Sequence, residues 1–223
     1  MSKRENLLPV TESQLEALEM ATASYQAQLT KGATGRQAAE YLFNRGIDQG
    51  LAHTSRLGVV TEPLPEHSMM RGRLAIPYLD KDGQPLSLRF RCIQHKKCEG
   101  HPKYRSMEGE PPRTYNVGAI HRAKDELHVT EGEMDCLILQ KVGLSAIGIP
   151  GAAMWASHHR RMLAGFSKVY VWQEPGEGGG RFASAVTRSI RHARIVRLDA
   201  GDIGETFLAQ GGEHLLSLMR GEK

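Results

Sequence analysis

From residue 127 to the C-terminus the sequence alternates short apolar strands with helices, and acidic residues follow three of those strands. That alternation constrains the fold more than any other feature, because strands separated by helices build a mostly parallel α/β sheet. LHVT (127–130) reads as the first strand and Met134–Val142 as a helix, with Gly143 just past its end. SAIGI (145–149) is a second strand, Ser157–Ala164 a helix, KVYVW (168–172) a third strand and 181–192 a helix. RIVRL (194–198) is the fourth strand, and helices near 204–210 and 212–220 close the chain.

In sheets of this kind ligands bind at the carboxyl ends of the strands, so the residues just after each strand carry the functional signal. The first strand is followed at once by Glu131, with Asp135 one helical turn on. The third runs into QEPGEGGG, which presents Glu174 and Glu177 on a glycine-rich loop, and the fourth into Asp199 and Asp202 with Glu205 nearby. Clustered carboxylates repel, and a hard divalent cation with oxygen ligands relieves the repulsion. Magnesium fits best, with manganese as its substitute, because it takes a few carboxylates, keeps waters and bridges to phosphate. Gly132 allows close backbone approach, Gly176 and Gly178–Gly180 make the second loop permissive, and a helix start near Arg181 offers N–H groups to a phosphate. Taken singly, each feature has a plainer account. Glu133 and Asp135 suit any helix N-terminus, and Glu174–Gly180 reads equally as a mobile loop. The coincidence at three strand ends favours the metal site.

Upstream the character differs. Residues 11–30 read as a helix capped by Thr11 or Ser13, and 35–45 as a second helix capped by Thr34 and stopped by Gly46. RLAIPYLDKDGQPLSLRFRCI gives two strands around an Asp82-Gly83 turn, and 94–116 a long loop or irregular hairpin. Residues 71–124 hold twelve Lys or Arg against five Asp or Glu, although the whole chain carries only +4. A basic segment beside an acid-bearing half suits a polyanion held near metal-binding carboxylates; a solvated basic face is the plainer reading. The expected division is a basic α+β subdomain over 1–124 and a parallel α/β domain over 125–223.

Three cysteines are too few for a disulfide framework. With no apolar run long enough to span a bilayer and no apolar leader in MSKRENLLPV, the expected location is the cytoplasm. Cys92, His95, Cys98 and His101 recur at intervals of three, a sulfur and imidazole set suited to zinc; the flanking lysines make the same segment a nucleic-acid-binding loop, and the two readings are compatible. Trp155 and Trp172 read as core, Tyr104 and Tyr115 as base-stacking residues. His158 and His159 read as a solvated basic turn, and Cys136 as an inert buried thiol.

EGEMD, a helix, two strands and then QEPGEGGGRFA together resemble the TOPRIM domain of topoisomerases, bacterial primases and some nucleases. EYLFNRGI (40–47), RLGVV (56–60), the basic strand pair 73–91 and PKYRS (102–106) are similar to the catalytic core of DnaG-type primases, in a short phage-like form without the zinc ribbon. The resemblance covers roughly residues 36–210. It implies synthesis of short RNA primers from ribonucleoside triphosphates on single-stranded DNA, with magnesium as cofactor. Glu131 matches the family's signature acid, as base or metal-site organiser, and Asp135 the acid one turn later. The implied metal set is Glu131, Glu174, Glu177 and Asp202. Arg45, Arg73, Arg89, Arg91, Lys103, Tyr104 and Arg113 match or lie among positions that contact template or nucleotide. Where the family carries Asp-x-Asp, this chain has Glu174 and Gly176, so a degenerate nucleic-acid-binding module and a metal-dependent nuclease stand as rivals. Template selection or helicase coupling is expected from another protein, such as a separate zinc-ribbon protein or a replicative helicase, or is dispensed with.

Overall fold

The computed structural model describes residues 9–94, 98 and 100–222. Two compact units emerge, and their sequence segments interleave. The first takes in the chain up to Ala39, His53–Tyr78 and Gln84–Pro111, and the second Glu40–Ala52, Leu79–Gly83 and the chain from Pro112 on.

In the first unit, helix α1 (Glu12–Gln28) starts at Thr11, whose Oγ1 accepts the Gln14 N–H at 3.3 Å while Gln14 Oε1 accepts the Thr11 N–H at 2.9 Å. This reciprocal cap satisfies two donors that a helix start leaves unpaired. Helices α2 (Gly32–Phe43) and α3 (Gln49–Thr54) follow. Strands β1 (Gly58–Val59), β2 (Leu74–Leu79), β3 (Pro85–Arg91) and β4 (Tyr104–Ser106) form a sheet in that order, with antiparallel pairing of β1 to β2 and of β3 to β4. Ala21 and Tyr25 of α1 pack with Ala75, Leu88 and Phe90, so the helix covers one face of the sheet. The expected turn at Asp82-Gly83, in the segment that groups with the second unit, forms with Gly83 at φ +88°.

The second unit contains α4 (Gly118–Arg122), β5 (Glu126–Thr130), α5 (Glu133–Lys141), β6 (Ala146–Gly148), α6 (Ser157–Leu163), β7 (Lys168–Gln173), α7 (Glu177–Ser189), β8 (Arg194–Arg197) and α8 (Ile203–Arg220). The four strands are parallel in the order β6-β5-β7-β8. The chain therefore moves to one side of β5 for β6 and returns to its other side for β7, which places a switch point between β5 and β7, where such sheets bind ligands. Leu127, Val129, Val169 and Val171 meet Leu163, Phe182, Val186 and Ile190 in one core. Alternate residues point to the opposite face: His128 lies stacked on Tyr170 with ring centroids 5.0 Å apart and accepts the Trp172 indole N–H on Nδ1 at 3.0 Å. α8 is interrupted at Gly211, which is non-helical at φ +81°, so the two expected C-terminal helices are halves of a broken one.

Segment 40–52 belongs with the second unit because Lys141 Nζ donates to Gly46 O at 2.7 Å and pairs with Asp48 Oδ2 at 2.8 Å.

Candidate acidic site and nucleic-acid face

The turn after β5 is fixed by the backbone. Thr130 Oγ1 donates to Gly132 O at 2.9 Å, and the Gly151 N–H donates to Glu131 O at 3.1 Å. Glu131 is half-buried at this turn. Gly132 is extended at φ −150°, a conformation open to any residue; the close approach expected of it belongs to Gly148, where a Cβ would sit 2.8 Å from Gly132 O. α5 begins at Glu133, and both Glu133 and Asp135 are buried.

Asp135 is the electrostatic centre of the acids. Its Oδ1 accepts the Ile203 N–H at 3.1 Å, bringing α8 onto α5. Burial first, then the carboxylates of Asp202 and Glu174, push its pKa up to about 8, against smaller opposing effects of the Gly204 N–H and the Arg45 guanidinium. Acids that follow β7 and β8 thus act on the buried acid that follows β5. Asp202 is committed on both oxygens: Oδ1 caps α8 by accepting the Glu205 N–H at 2.7 Å, and Oδ2 accepts from Arg45 Nη1 at 3.1 Å. Arg45, read from sequence as a nucleic-acid contact, is paired here with an acid.

α7 begins at Glu177, not near Arg181, so Gly178–Gly180 lie in its first turn. Gly179 makes this possible, because a Cβ there would lie 2.2 Å from Glu174 O. Glu177 is exposed and pairs with Arg181 at 2.6 Å, one helical turn on. Asp199 is also exposed. A buried carboxylate whose proton affinity is raised by neighbouring acids is what a divalent cation with oxygen ligands relieves, so Asp135 with Asp202 and Glu174 beside it has donors of the kind magnesium takes. Among the described residues, however, the group with three donor atoms all within 4.8 Å of one another is Cys92, Cys98 and His101, a sulfur and imidazole set able to hold a metal ion. His95 lies outside the described residues.

On the first unit's sheet, Tyr104 of β4 pairs with Arg91 of β3. Its ring receives the guanidinium of Arg89 at 4.3 Å and of Arg91 at 5.0 Å, and its hydroxyl accepts from Arg91 Nη1. Arg73 is buried and donates from Nη1 to the carbonyls of Pro102 (3.2 Å) and Lys103 (3.3 Å), so it also braces the loop carrying Lys103, which is exposed. Arg113 belongs to the second unit, and its Nε is buried without a hydrogen-bond partner.

Sequence reading missed several roles. Tyr115, expected to stack on bases, is buried and bridged to Gly148. His159, expected in solvent, is buried against Trp155, and its Nδ1 accepts the Ala156 N–H at 2.9 Å. Glu133, assigned to helix-end preference, is fully buried. An acid flanked by Met134 and by the buried run Cys136–Leu139 gave no periodic signal of its own. Trp172 and Cys136 are core residues as expected, and burial drives the Cys136 thiol's pKa upward. Among the described residues no helix is long and apolar enough to cross a membrane.

No family model matches the chain. The gene 57 protein of Mycobacterium phage D29 is 34% identical to it over 153 residues, covering 66% of this chain and 98% of that protein. Among solved structures, the zinc-binding and RNA polymerase domains of Aquifex aeolicus primase superpose with a TM-score of 0.79 at 20% identity, covering 100% of this chain and 64% of that one. A DnaG primase catalytic domain bound to single-stranded DNA superposes with a TM-score of 0.73 at 17% identity, covering 93% and 78%. The chain belongs to the family of the phage D29 protein, and its fold is that of the DnaG-type primase catalytic core with its TOPRIM domain.

Proposed function

We propose that the chain is a DNA primase that synthesises short RNA primers on single-stranded DNA from ribonucleoside triphosphates, with magnesium or manganese as cofactor, in the cytoplasm. The observation that carries this reading is the buried Asp135, its proton affinity raised by burial and by the charges of Asp202 and Glu174, in a parallel sheet with the primase-core fold. The related DnaG catalytic domain's binding of single-stranded DNA supports the choice of template.

Asp135, Glu174 and Asp202 would hold the cation, which when bound lowers the cost of deprotonating a 3′-hydroxyl and of charging the pyrophosphate that leaves. Glu131, on the turn braced through Thr130 and Gly151, serves as base or orients the metal site. Asp202 keeps α8 capped and holds Arg45, so this arginine's charge balances the acids at rest. Arg89, Arg91, Lys103 and Tyr104 bind the template: cations meet phosphates, and an aromatic ring beside two guanidinium groups suits a base. A replicative helicase or a zinc-ribbon protein would supply template selection.

The test supplies single-stranded templates, ribonucleotides and magnesium or manganese to the wild type and to Glu131→Gln. Primer synthesis by the wild type and its loss in the variant are expected. Shortened template would identify a nuclease, and binding without synthesis a degenerate module.

A further inference from the structure

We propose that Cys92, Cys98 and His101 form a zinc site that pins the chain between β3 and β4. This site is separate from the carboxylates of the second unit and does not depend on the primase reading. Cys92 follows directly on β3 and is buried; Cys98 and His101 are half-exposed on the loop that leads to β4. The donor atoms of all three lie within 4.8 Å of one another, and His101 Nε2 is 3.3 Å from Cys92 Sγ. A tetrahedral zinc centre with bonds of about 2.3 Å to sulfur and about 2.0 Å to nitrogen sets its sulfur and nitrogen ligands roughly 3.5 Å apart and two sulfurs roughly 3.8 Å apart. The Cys92–His101 pair already stands near that spacing, and the other separations need to shorten by at most about 1.3 Å.

The chemistry of the donors selects the ion. Two thiolates and one imidazole are soft or borderline ligands, which suit zinc and exclude magnesium or calcium. None of the three cysteines is in a disulfide. Cys92 and Cys98 are already hydrogen-bonded to one another, with the charges of Arg73 and Lys103 nearby. On binding, each thiol loses its proton to solvent and the sulfur lone pair forms the Zn–S bond. His101 gives its Nε2 lone pair, with the ring proton on Nδ1. Two thiolates neutralise the ion's charge, and no oxidation occurs. Water or a further side chain completes the tetrahedron.

Such a site has a structural consequence. The Cys92 N–H donates to Lys103 O at 2.8 Å, and Arg73 donates to the same carbonyl, so the chain on both sides of the loop is already tied at its base. A metal would join Cys92 to Cys98 and His101 as well, fixing the path that leads into Lys103 and Tyr104. Small irregular loops without a core of their own are stabilised in this way.

The experiment uses the full chain, purified under reducing conditions with zinc present, and measures bound metal by mass spectrometry. A single zinc per chain is expected, held against a chromophoric chelator. Replacement with cobalt should give the intense visible bands of a tetrahedral thiolate complex. Cys98→Ser and His101→Ala, both at half-exposed positions, should weaken zinc beyond the roughly 10–100-fold that loss of a supporting group costs. Glu131→Gln should leave zinc binding intact while abolishing primer synthesis, which separates this site from the carboxylates. Wild type without stoichiometric zinc, zinc retained in Cys98→Ser, or a Cys92–Cys98 disulfide in the reduced protein by thiol titration would each overturn the assignment.

Discussion

The backbone N–H of Ile203 reaches Oδ1 of Asp135 at 3.1 Å, joining the start of α8 to the first turn of α5 across 68 residues of sequence. Asparagine in place of Asp135 keeps an oxygen for that bond but removes a buried acid from beside Glu174 and Asp202. Asp135→Asn should therefore fold at least as stably as the wild type without metal, yet lose primer synthesis by two orders of magnitude or more. Magnesium at a hundred times its dissociation constant stabilises a folded site by about 2.7 kcal/mol. Differential scanning calorimetry should show that rise in Tm for the wild type and not for Asp135→Asn. An equal rise in both proteins would remove Asp135 from the metal site.

Gly176 and Gly179 stand on either side of the start of α7. Gly176 lies at φ +96° and ψ 179°, a region that side chains enter only at about 1–3 kcal/mol. Restoring the family's aspartate with Gly176→Asp should thus lower stability by about that amount and leave synthesis no higher than before. Gly179→Ala places a Cβ against the Glu174 carbonyl, and overpacking of this kind costs about 1–3 kcal/mol. It should also displace Glu174 and raise the magnesium concentration needed for half-maximal synthesis. Urea melts and metal titrations check both variants.

His128 is fully buried between Tyr170 and Trp172, and burial pushes its pKa down to about 4 despite the nearby Glu126 carboxylate. An unfolded histidine titrates near 6.5. Between those values the unfolded chain binds the extra proton, so stability rises with pH and is lost as pH falls from about 6.5 toward 4. At the acid end the loss approaches about 3 kcal/mol. His159, also held near 4, adds a slope of the same sign. His128→Gln retains an acceptor for the Trp172 N–H and should flatten part of the acid limb in chemical melts at a series of pH values. An unchanged slope would place the titration elsewhere.

The parallel sheet was legible because each of its strands is a short apolar run closed by an acid or a glycine, and the helix breaks fall at Gly143 and Gly211. The acids were legible as types: the charges of Asp202 and Glu174, which follow other strands, act on the buried Asp135. Their partners were not. Arg45 meets Asp202 from 157 residues away, a pairing that no local pattern records. Glu177 follows strand β7 closely, and its partner is Arg181, one turn along the helix that starts on it. His159 and Tyr115 illustrate the same limit. Polar residues in basic surroundings read as exposed until tertiary packing, against Trp155 and Gly148 here, decides otherwise.

Tyr104 lies across the sheet from Arg91, with the guanidinium groups of Arg89 and Arg91 on its ring. If this face takes single-stranded template, the ring and the cations contribute in separable ways. Tyr104→Ala removes a stacking surface worth about 1–3 kcal/mol per base, so affinity for an oligonucleotide should fall roughly 5- to 150-fold with little change in salt dependence. Lys103→Gln removes a charge and should lower affinity modestly. It should also reduce the slope of log K against log salt by about 0.7, the value for one phosphate contact on a single strand. Tyr104→Phe keeps the ring but not the hydroxyl that Arg91 engages, and should fall between wild type and Tyr104→Ala. Fluorescence anisotropy at several salt concentrations measures both quantities, and a Tyr104→Ala protein that binds as tightly as wild type would move the template path off this sheet.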